Sequence, residues 1–190
     1  MAMQNDVCLL GHSFISRIEK EMWGDAKCFG QSGGRVSTFQ RSAKFLLFRA
    51  HVIRHPPSKV FLQLGENDLD GEDRLKTQLK FYEIVEELRA LCPSAMIYVG
   101  EAFNRYPASC KHRVPCTPPR CRRVYPDFNW SRYQRNRLRW NRHLRAKYSD
   151  NPRVQVVSYP WDAPRSNFLP DGVHLSPAGT EQYRASLLEL

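Results

Sequence analysis

The 190-residue chain is 42% hydrophobic and 12% aromatic, which is enough to bury the core of a single globular domain over residues 1–190. No apolar run approaches the roughly 18 residues of a membrane span, and the start MAMQNDV is neither basic nor apolar enough for a signal peptide, so we expect an intracellular, cytoplasmic protein. The net charge of +10 is uneven: residues 105–147 hold 13 basic residues and one acid (+12), and the other 16 basic and 18 acidic residues give −2.

Short apolar runs alternate with longer amphipathic segments. The predicted strands are residues 6–10, 26–29, 59–64, 95–100 and 154–158, and the predicted helices are residues 14–23, 36–52, 73–91, 130–148 and 177–190. The predicted apolar stripes are Phe39, Ala43, Leu46 and Leu47 in the second helix, and Leu75, Leu79, Tyr82, Val85 and Leu88 in the third. The strands are apolar on both faces, as buried parallel strands are. The alternation predicts an α/β fold, with about five parallel strands covered by helices on both sides.

One segment interrupts this alternation. Residues 103–128 contain five prolines and three of the six cysteines, so they form an insertion that cannot be the interior of a helix. Cys110, His112, Cys116 and Cys121 have residue types that bind zinc, but their spacing lacks a paired C-x2-C motif. A disulfide within the insertion and free thiols are the alternatives. We predict no metal and no cofactor for the chemistry of this chain.

Polar residues follow four of the five predicted strand regions. They are Gly11-His12-Ser13, the stretch GQSGG at 30–34, the stretch GEND at 65–68 and the stretch DGVH at 171–174. In open parallel sheets, binding sites form beyond the carboxyl ends of the strands. Together these stretches supply a nucleophile, exposed backbone N–H groups, an amide, an acid and a histidine, which are the groups needed for acyl transfer.

These stretches resemble the four sequence blocks of the SGNH (GDSL-type) hydrolase superfamily. The blocks are GHSF with Ser13, GQSGG with Gly34, GEND with Asn67, and DGVHLS with Asp171 and His174, and they occur in the family's order. The resemblance implies a flavodoxin-like, three-layer α/β/α sandwich, in agreement with the alternation of predicted strands and helices.

The resemblance also implies a serine esterase or deacetylase that hydrolyses short acyl or acetyl esters. Ser13 would attack the acyl carbonyl, His174 would take its proton and Asp171 would orient the imidazole. The backbone N–H groups of Ser13 and Gly34 and the side-chain amide of Asn67 would bind the oxyanion. Activity should fall as His174 becomes protonated at acid pH.

Each of these residues also has a purely structural interpretation. Ser13 could cap the helix that starts at Phe14, the two glycines at 33–34 could form a turn, and Ser176 and Pro177 fit the N-cap and first position of the last helix. The coincidence of all the stretches with one catalytic layout favours the enzyme.

Two residues depart from the family's pattern. His12 stands where the family usually has Asp, and it could compete for the proton of the neighbouring serine. Glu66 precedes Asn67, and a carboxylate that faced the site would oppose an oxyanion. We therefore expect Glu66 to point away.

The predicted helix 130–148, WSRYQRNRLRWNRHLRAKY, is basic with interleaved aromatic residues. Tyr133, Arg137, Trp140 and Leu144 can share one stripe, which predicts that the aromatic side chains pack on the sheet. The arginines that face outward, Arg135, Arg139 and Arg142, are candidates for binding phosphate groups of RNA or anionic phospholipid. A solvated basic face without a partner is the alternative.

The basic character also suggests a more specific resemblance. Small SGNH-like domains of this kind occur in first-open-reading-frame proteins of some non-LTR retrotransposons, beside RNA-binding segments. The second hypothesis for function is therefore a catalytically weak or inactive module of the same fold, which binds RNA or anionic lipid through residues 105–147.

Overall fold

The computed structural model describes residues 7–20, 26–71, 73–107, 129–162 and 164–189. Five parallel strands form one sheet in the order β2-β1-β3-β4-β5. The strands are β1 (Val7–Gly11), β2 (Lys27–Gly30), β3 (Lys59–Gln63), β4 (Met96–Gly100) and β5 (Val154–Val157). This confirms the predicted α/β class and the five-stranded parallel sheet.

Six α-helices are described. They are α1 (Ser13–Lys20), α2 (Val36–Phe39), α3 (Ala43–Arg54), α4 (Arg74–Leu91), α5 (Trp130–Tyr148) and α6 (Pro177–Leu188). Two short 3₁₀ helices, Pro160–Asp162 and Arg165–Asn167, lie between β5 and α6. Ser176 caps α6 by accepting the N–H of Gly179 at 3.2 Å, and Pro177 takes the first helical position, as predicted.

The sheet is buried on both faces because successive strand residues point to opposite sides. Leu10 and Leu62 belong to the larger of two apolar cores, whereas Leu9 and Phe61 belong to the other. The helices α2 to α5 cover the first face with side chains that include Phe39, Phe48, Ile84 and Trp140. The helices α1 and α6 cover the second face with Phe14, Ile15, Tyr183 and Leu187. The result is the three-layer sandwich that the sequence predicts.

The predicted helix 36–52 is wrong in one respect, because the structure divides it into α2 and α3. Ser42 has an extended backbone between them, and its side chain accepts the N–H of Phe45 at 3.2 Å as the N-cap of α3. The break rotates α3, so Phe45 and Phe48 are buried while the predicted core residues Leu46 and Leu47 are 52% and 58% exposed.

The stripe predicted for α4 is correct only in its second half. Val85 and Leu88 are buried, but Leu75 and Leu79 are 65% and 55% exposed. The buried face of α4 is formed instead by Gln78, Phe81, Ile84, Val85 and Leu88, and Leu75 and Leu79 lie on the other side of the helix.

The stripe predicted for α5 is confirmed by the burial of Tyr133, Trp140 and Leu144. Of the predicted insertion 103–128, residues 103–107 follow β4 and include the buried Phe103 and Arg105. Cys110, His112, Cys116 and Cys121 lie outside the described residues. No helix in the described part of the chain is long and apolar enough to cross a membrane.

The break at Ser42 leads to a stability prediction. Ser42→Ala removes the cap of α3 and should lower the free energy of unfolding by about 1 kcal/mol, which for a chain of this size corresponds to a decrease of roughly 2–4 °C in Tm. Thermal unfolding followed by circular dichroism measures it. Ser37→Ala, at an exposed position of α2, is the matched control and should differ little from wild type. Equal Tm values for the two variants would show that the cap does not stabilise α3.

Candidate active site

The carboxyl ends of the strands surround a cavity of about 350 Å³. Its walls include Ser13, Gly33, Asn67, Arg105 and His174. Three of the five residues predicted for the site thus line one cavity, although 161 positions separate Ser13 from His174 in the chain. The parallel sheet brings them together because the strands all end at the same edge.

Ser13 is the first residue of α1. The helix is capped by the residue before it, since the carbonyl of His12 accepts the N–H of Ser16 at 3.1 Å. The alternative interpretation of Ser13 as the N-cap is therefore wrong, and its hydroxyl is not engaged by the backbone of the described helix. At the first helical position the Ser13 N–H has no carbonyl of its own helix to bind, and the positive end of the helix dipole lies beside it.

His174 and Asp171 form a hydrogen-bonded pair. The Nδ1 atom of His174 lies 2.7 Å from Oδ2 of Asp171, and the other carboxylate oxygen accepts the backbone N–H groups of Val173 and His174 at 2.9 and 3.0 Å. The turn that joins them needs Gly172, which has φ +71° and whose absent Cβ would lie 2.0 Å from the carbonyl oxygen of Tyr106. The arrangement fixes the plane of the imidazole relative to the cavity.

The charge of Asp171 is stabilised by this arrangement. Partial burial raises the pKa of Asp171, but the hydrogen bonds from the side chain and N–H of His174 and from the N–H of Val173 outweigh it, so the pKa lies below its usual value. Asp171 is therefore ionised at neutral pH and accepts from Nδ1–H of His174. This bond leaves Nε2 of the neutral imidazole as the nitrogen with a free lone pair.

Gly34 does not occupy the position that the sequence predicts. Its N–H donates to the carbonyl of Gln31 at 2.9 Å in a turn, and its own carbonyl accepts from Asn67. The preceding residue, Gly33, lines the cavity with φ +68°, and its N–H has no hydrogen-bond partner among the residues that the structure describes. In the turn Gln31–Gly34, the N–H of the fourth residue, Gly34, is hydrogen-bonded within the turn, whereas that of the third residue, Gly33, is not. Gly33 is therefore the better candidate for a backbone donor.

The side-chain amide of Asn67 is held from both ends. Its Nδ2 donates to the carbonyl of Gly34 at 3.0 Å, and its Oδ1 accepts from an Nη of Arg105 at 2.7 Å. The amide has a second N–H, and this hydrogen remains for a group in the cavity. The bond from Arg105 also fixes which atom of the amide is the nitrogen.

Arg105 was not predicted as a site residue. It is 7% exposed, its guanidinium lies over the ring of Tyr133 at 5.0 Å, and its carbonyl accepts from Trp130 and Gln134 of α5 at 2.6 and 2.9 Å. The sequence could have indicated it, because Arg105 follows β4 and parallel strands end at the same edge of the sheet. The sequence prediction considered only the ends of the other four strand regions.

The inner face of α5 supports the loop after β3. Trp140 packs on Gly65, where a Cβ would lie 2.8 Å from the indole, and Asn136 donates to the carbonyl of Leu69 at 2.8 Å. Gly65 and Leu69 lie on either side of Asn67 in the chain, so both flanks of this residue are held by α5. The buried side of the basic helix thus positions the candidate oxyanion donor.

Glu66 is fully buried and does not line the cavity, as expected. Its carboxylate contacts Nε2 of His12, which is also fully buried, and the side-chain amide of Gln63. Burial raises the pKa of Glu66, but the electrostatic interaction and hydrogen bond with the ring of His12, with a contribution from Arg105, lower it overall. The two departures from the family's pattern are therefore partners of each other.

The cavity is lined by charged side chains of both signs, Arg35, Arg105 and Asp70. Arg35 is exposed and lines both this cavity and a neighbouring one of about 780 Å³. Asp68 lines the neighbouring cavity and accepts the N–H of Val36 at 3.1 Å. Burial raises its pKa to about 6, although the bond from Val36 and the charge of Arg35 lower it.

Among the described residues, no group of three or more His, Cys, Asp or Glu side chains is arranged to hold a metal ion.

The fold and this cavity define an α/β protein of the SGNH-hydrolase type. The chain belongs to the GDSL-like lipase/acylhydrolase family, whose model matches residues 16–182, and it is therefore a hydrolase. The match begins at Ser16, so it does not include His12 or Ser13. Comparison with curated protein sequences gives no match.

Solved structures agree with this assignment at the level of the fold. A Bacteroides fragilis protein is 16% identical with a TM-score of 0.68, and the match covers 100% of this chain and 87% of that one. A GDSL-like lipase from Bacteroides thetaiotaomicron is 17% identical with a TM-score of 0.63, covering 100% and 88%. The esterase EstA from Pseudoalteromonas, inhibited by monoethylphosphonate, is 15% identical with a TM-score of 0.60, covering 98% and 96%. These relatives give no support to the retrotransposon resemblance.

The contacts of Arg105 lead to a kinetic prediction. Arg105→Lys keeps the charge but loses the planar stack on Tyr133 and the directed bond to Asn67, so kcat for a short-chain nitrophenyl ester should fall about tenfold or more, with a smaller change in KM. Arg41→Lys, at an exposed position remote from the cavity lining, should retain wild-type kinetics. If Arg105→Lys changes only KM, Arg105 does not act through the oxyanion donor.

Proposed function

We propose that the protein is a serine esterase that hydrolyses short acyl esters such as acetyl esters. Ser13 is the nucleophile, His174 the base and Asp171 the residue that orients His174. The N–H groups of Ser13 and Gly33 and the amide of Asn67 bind the oxyanion. The observation that supports this most strongly is the 2.7 Å pair of His174 and Asp171 in the same cavity as Ser13.

The reaction follows from these positions. Nε2 of His174 takes the hydroxyl proton of Ser13 as Oγ bonds to the acyl carbon, and the carbonyl electron pair moves to an oxygen that accepts from the three donors. The imidazolium then returns the proton to the leaving alcohol. Water hydrolyses the acyl-enzyme by the same steps in reverse order, with His174 again as the base and Ser13 as the leaving group.

A short acyl group fits the size of the site. The cavity of about 350 Å³ is at the lower end of the range for small-molecule sites, and the polar and charged groups of Arg35, Asp70 and Arg105 occupy part of its wall. A long alkyl chain would have to lie against these groups. The alcohol side can extend past Arg35, so an alcohol that carries negative charge is favoured.

Ser13→Ala tests the nucleophile directly. Hydrolysis of nitrophenyl acetate by the variant should fall to at most about a thousandth of the wild-type rate, and a fluorophosphonate probe should label the wild type at Ser13 and leave the variant unlabelled. Ser16→Ala, three residues further along α1, is the control and should keep both activities. Equal hydrolysis by wild type and Ser13→Ala would exclude a serine mechanism.

A second candidate function is the binding of RNA through the outer face of α5. Arg135, Arg139 and Arg142 lie on one side of the helix, are exposed, and have no ion pair within the described ranges. In contrast, Arg137 pairs with Asp162 at 3.4 Å and Arg145 with Glu101 at 3.0 Å. The three unpaired guanidinium groups are therefore free to contact phosphates in pairs of parallel hydrogen bonds.

The burial pattern of α5 favours a polyanion over a membrane surface. A helix that lies in a bilayer interface inserts an apolar face below the headgroups. The apolar face of α5, with Tyr133, Trp140 and Leu144, is already packed in the core. The outer face offers arginines and little apolar surface apart from Leu138, so it suits a flexible phosphate backbone better than lipid.

Neutralising the arginines tests this function. The variant R135Q/R139Q/R142Q should bind a fluorescein-labelled single-stranded RNA more weakly, and the slope of log affinity against log salt should decrease by about 2. The variant R41Q/R49Q/R54Q loses the same charge elsewhere and should retain most of the affinity. Unchanged RNA binding by the first variant would contradict the proposal, as would tighter binding of the wild type to phosphatidylserine vesicles than to RNA.

A further inference from the structure

A second histidine contacts the nucleophile. Among the described residues, the side chain that hydrogen-bonds the hydroxyl of Ser13 is that of His12, whose Nδ1 lies 3.4 Å from Oγ. The other ring nitrogen, Nε2, is bonded to the carboxylate of Glu66. The chain Glu66–His12–Ser13 therefore has the connectivity of a carboxylate, an imidazole and a hydroxyl, in addition to the pair of Asp171 and His174 on the other side of the cavity.

The hydrogen bonds around this chain decide which nitrogen of the neutral imidazole carries the proton. The carboxylate of Glu66 is ionised and also accepts from the amide of Gln63, which in turn is held by the hydroxyl of Tyr159 at 2.8 Å and by the carbonyl of Glu101 at 3.0 Å. In the neutral imidazole, a carboxylate at Nε2 places the ring proton on that nitrogen. Nδ1 of His12 then has a free lone pair directed at the Ser13 hydroxyl.

A purely structural role does not account for both contacts. A residue that only filled the space of the usual Asp would need neither the bond to Glu66 nor the contact with Ser13, and a buried polar pair is no more stabilising than apolar residues of the same shape. The ring also contacts that of Phe14, at a centroid distance of 5.0 Å. Nδ1 nevertheless faces the hydroxyl that loses a proton when the serine is acylated.

We propose that His12, held by Glu66, is a second base for Ser13, so that the serine can be acylated without His174. This inference rests on the proposed esterase mechanism. The hydroxyl proton passes to Nδ1 of His12 as Oγ bonds to the acyl carbon, and the imidazolium that forms is neutralised by the carboxylate of Glu66. The leaving group departs with its bonding electron pair as an anion, which restricts this route to good leaving groups such as nitrophenolate or fluoride.

The second half of the reaction distinguishes the two histidines. Hydrolysis of the acyl-enzyme needs a base for the attacking water, and His174 faces the cavity where that water enters, whereas His12 is fully buried. When the acyl group leaves, Oγ of Ser13 takes its proton back from Nδ1 of His12. A protein without His174 should therefore be acylated but turn over very slowly.

The experiment compares labelling of Ser13 by a fluorophosphonate probe, from which fluoride leaves as an anion. The proteins are wild type, H174A, H12Q, H12Q/H174A and S13A. Gln at position 12 can keep the donor to Glu66 but has no group that accepts a proton. We expect H174A to be labelled at least about a hundredfold faster than H12Q/H174A, and to release a burst of about one nitrophenolate per protein without turnover.

The outcomes separate this inference from the esterase itself. Failure of the wild type to label would overturn the proposed function. Labelling of the wild type together with equal rates for H174A and H12Q/H174A would overturn the role of His12 and leave the esterase intact.

The variant E66Q/H174A provides a test if thermal unfolding shows that H12Q does not fold. It keeps an acceptor for Nε2 of His12 and removes the charge that stabilises the imidazolium. Its labelling should be about tenfold or more slower than that of H174A. Equal rates for these two proteins would also overturn the proposal.

Discussion

The buried contact between His12 and Glu66 constrains the whole edge of the sheet where the site lies. A charged group without solvent exposure must be paired and hydrogen-bonded, and this pair continues through Gln63 to Tyr159 and the carbonyl of Glu101. The network joins the segments that follow β1, β3, β4 and β5. Any shift of one strand end would leave a buried polar group unsatisfied, so Ser13 and the loop that carries Asn67 are held in one fixed relation.

The helix α5 has different roles on its two faces. Trp140 on its buried face packs on Gly65, and Trp130 at its start donates to the carbonyl of Arg105. The guanidinium of Arg105 in turn donates to the side chain of Asn67. The outer face of the helix carries the exposed arginines. A polyanion bound there would lie on the opposite side of a rigid element from the loops of the site. This arrangement would let the helix hold an esterase site close to a nucleic acid without competition for the same residues.

Local sequence patterns predicted much of the fold and part of the site. The alternation of apolar runs located all five strands to within one or two residues, because buried parallel strands are short and continuous in hydrophobicity. It missed the break at Ser42, where a side-chain cap competes with a continuing helix. The burial of Leu75 and Leu79 was also predicted wrongly, because the buried face of α4 includes the polar Gln78 and hydrophobic periodicity alone assigned that face to the wrong side of the first turns.

The sequence by itself determined the family and the order of its blocks, and it predicted Ser13, Asn67, Asp171 and His174 as site residues, because these depend on residue types after strands. Only the tertiary structure decided whether the N–H of Gly33 or that of Gly34 is exposed, since that depends on which of them is hydrogen-bonded within the turn. It also decided the meaning of His12 and Glu66. Each departs from the family's pattern, and the two residues are 54 positions apart in the chain, so their contact could not be predicted from the sequence. The pairing of β1 with β3 brings them together.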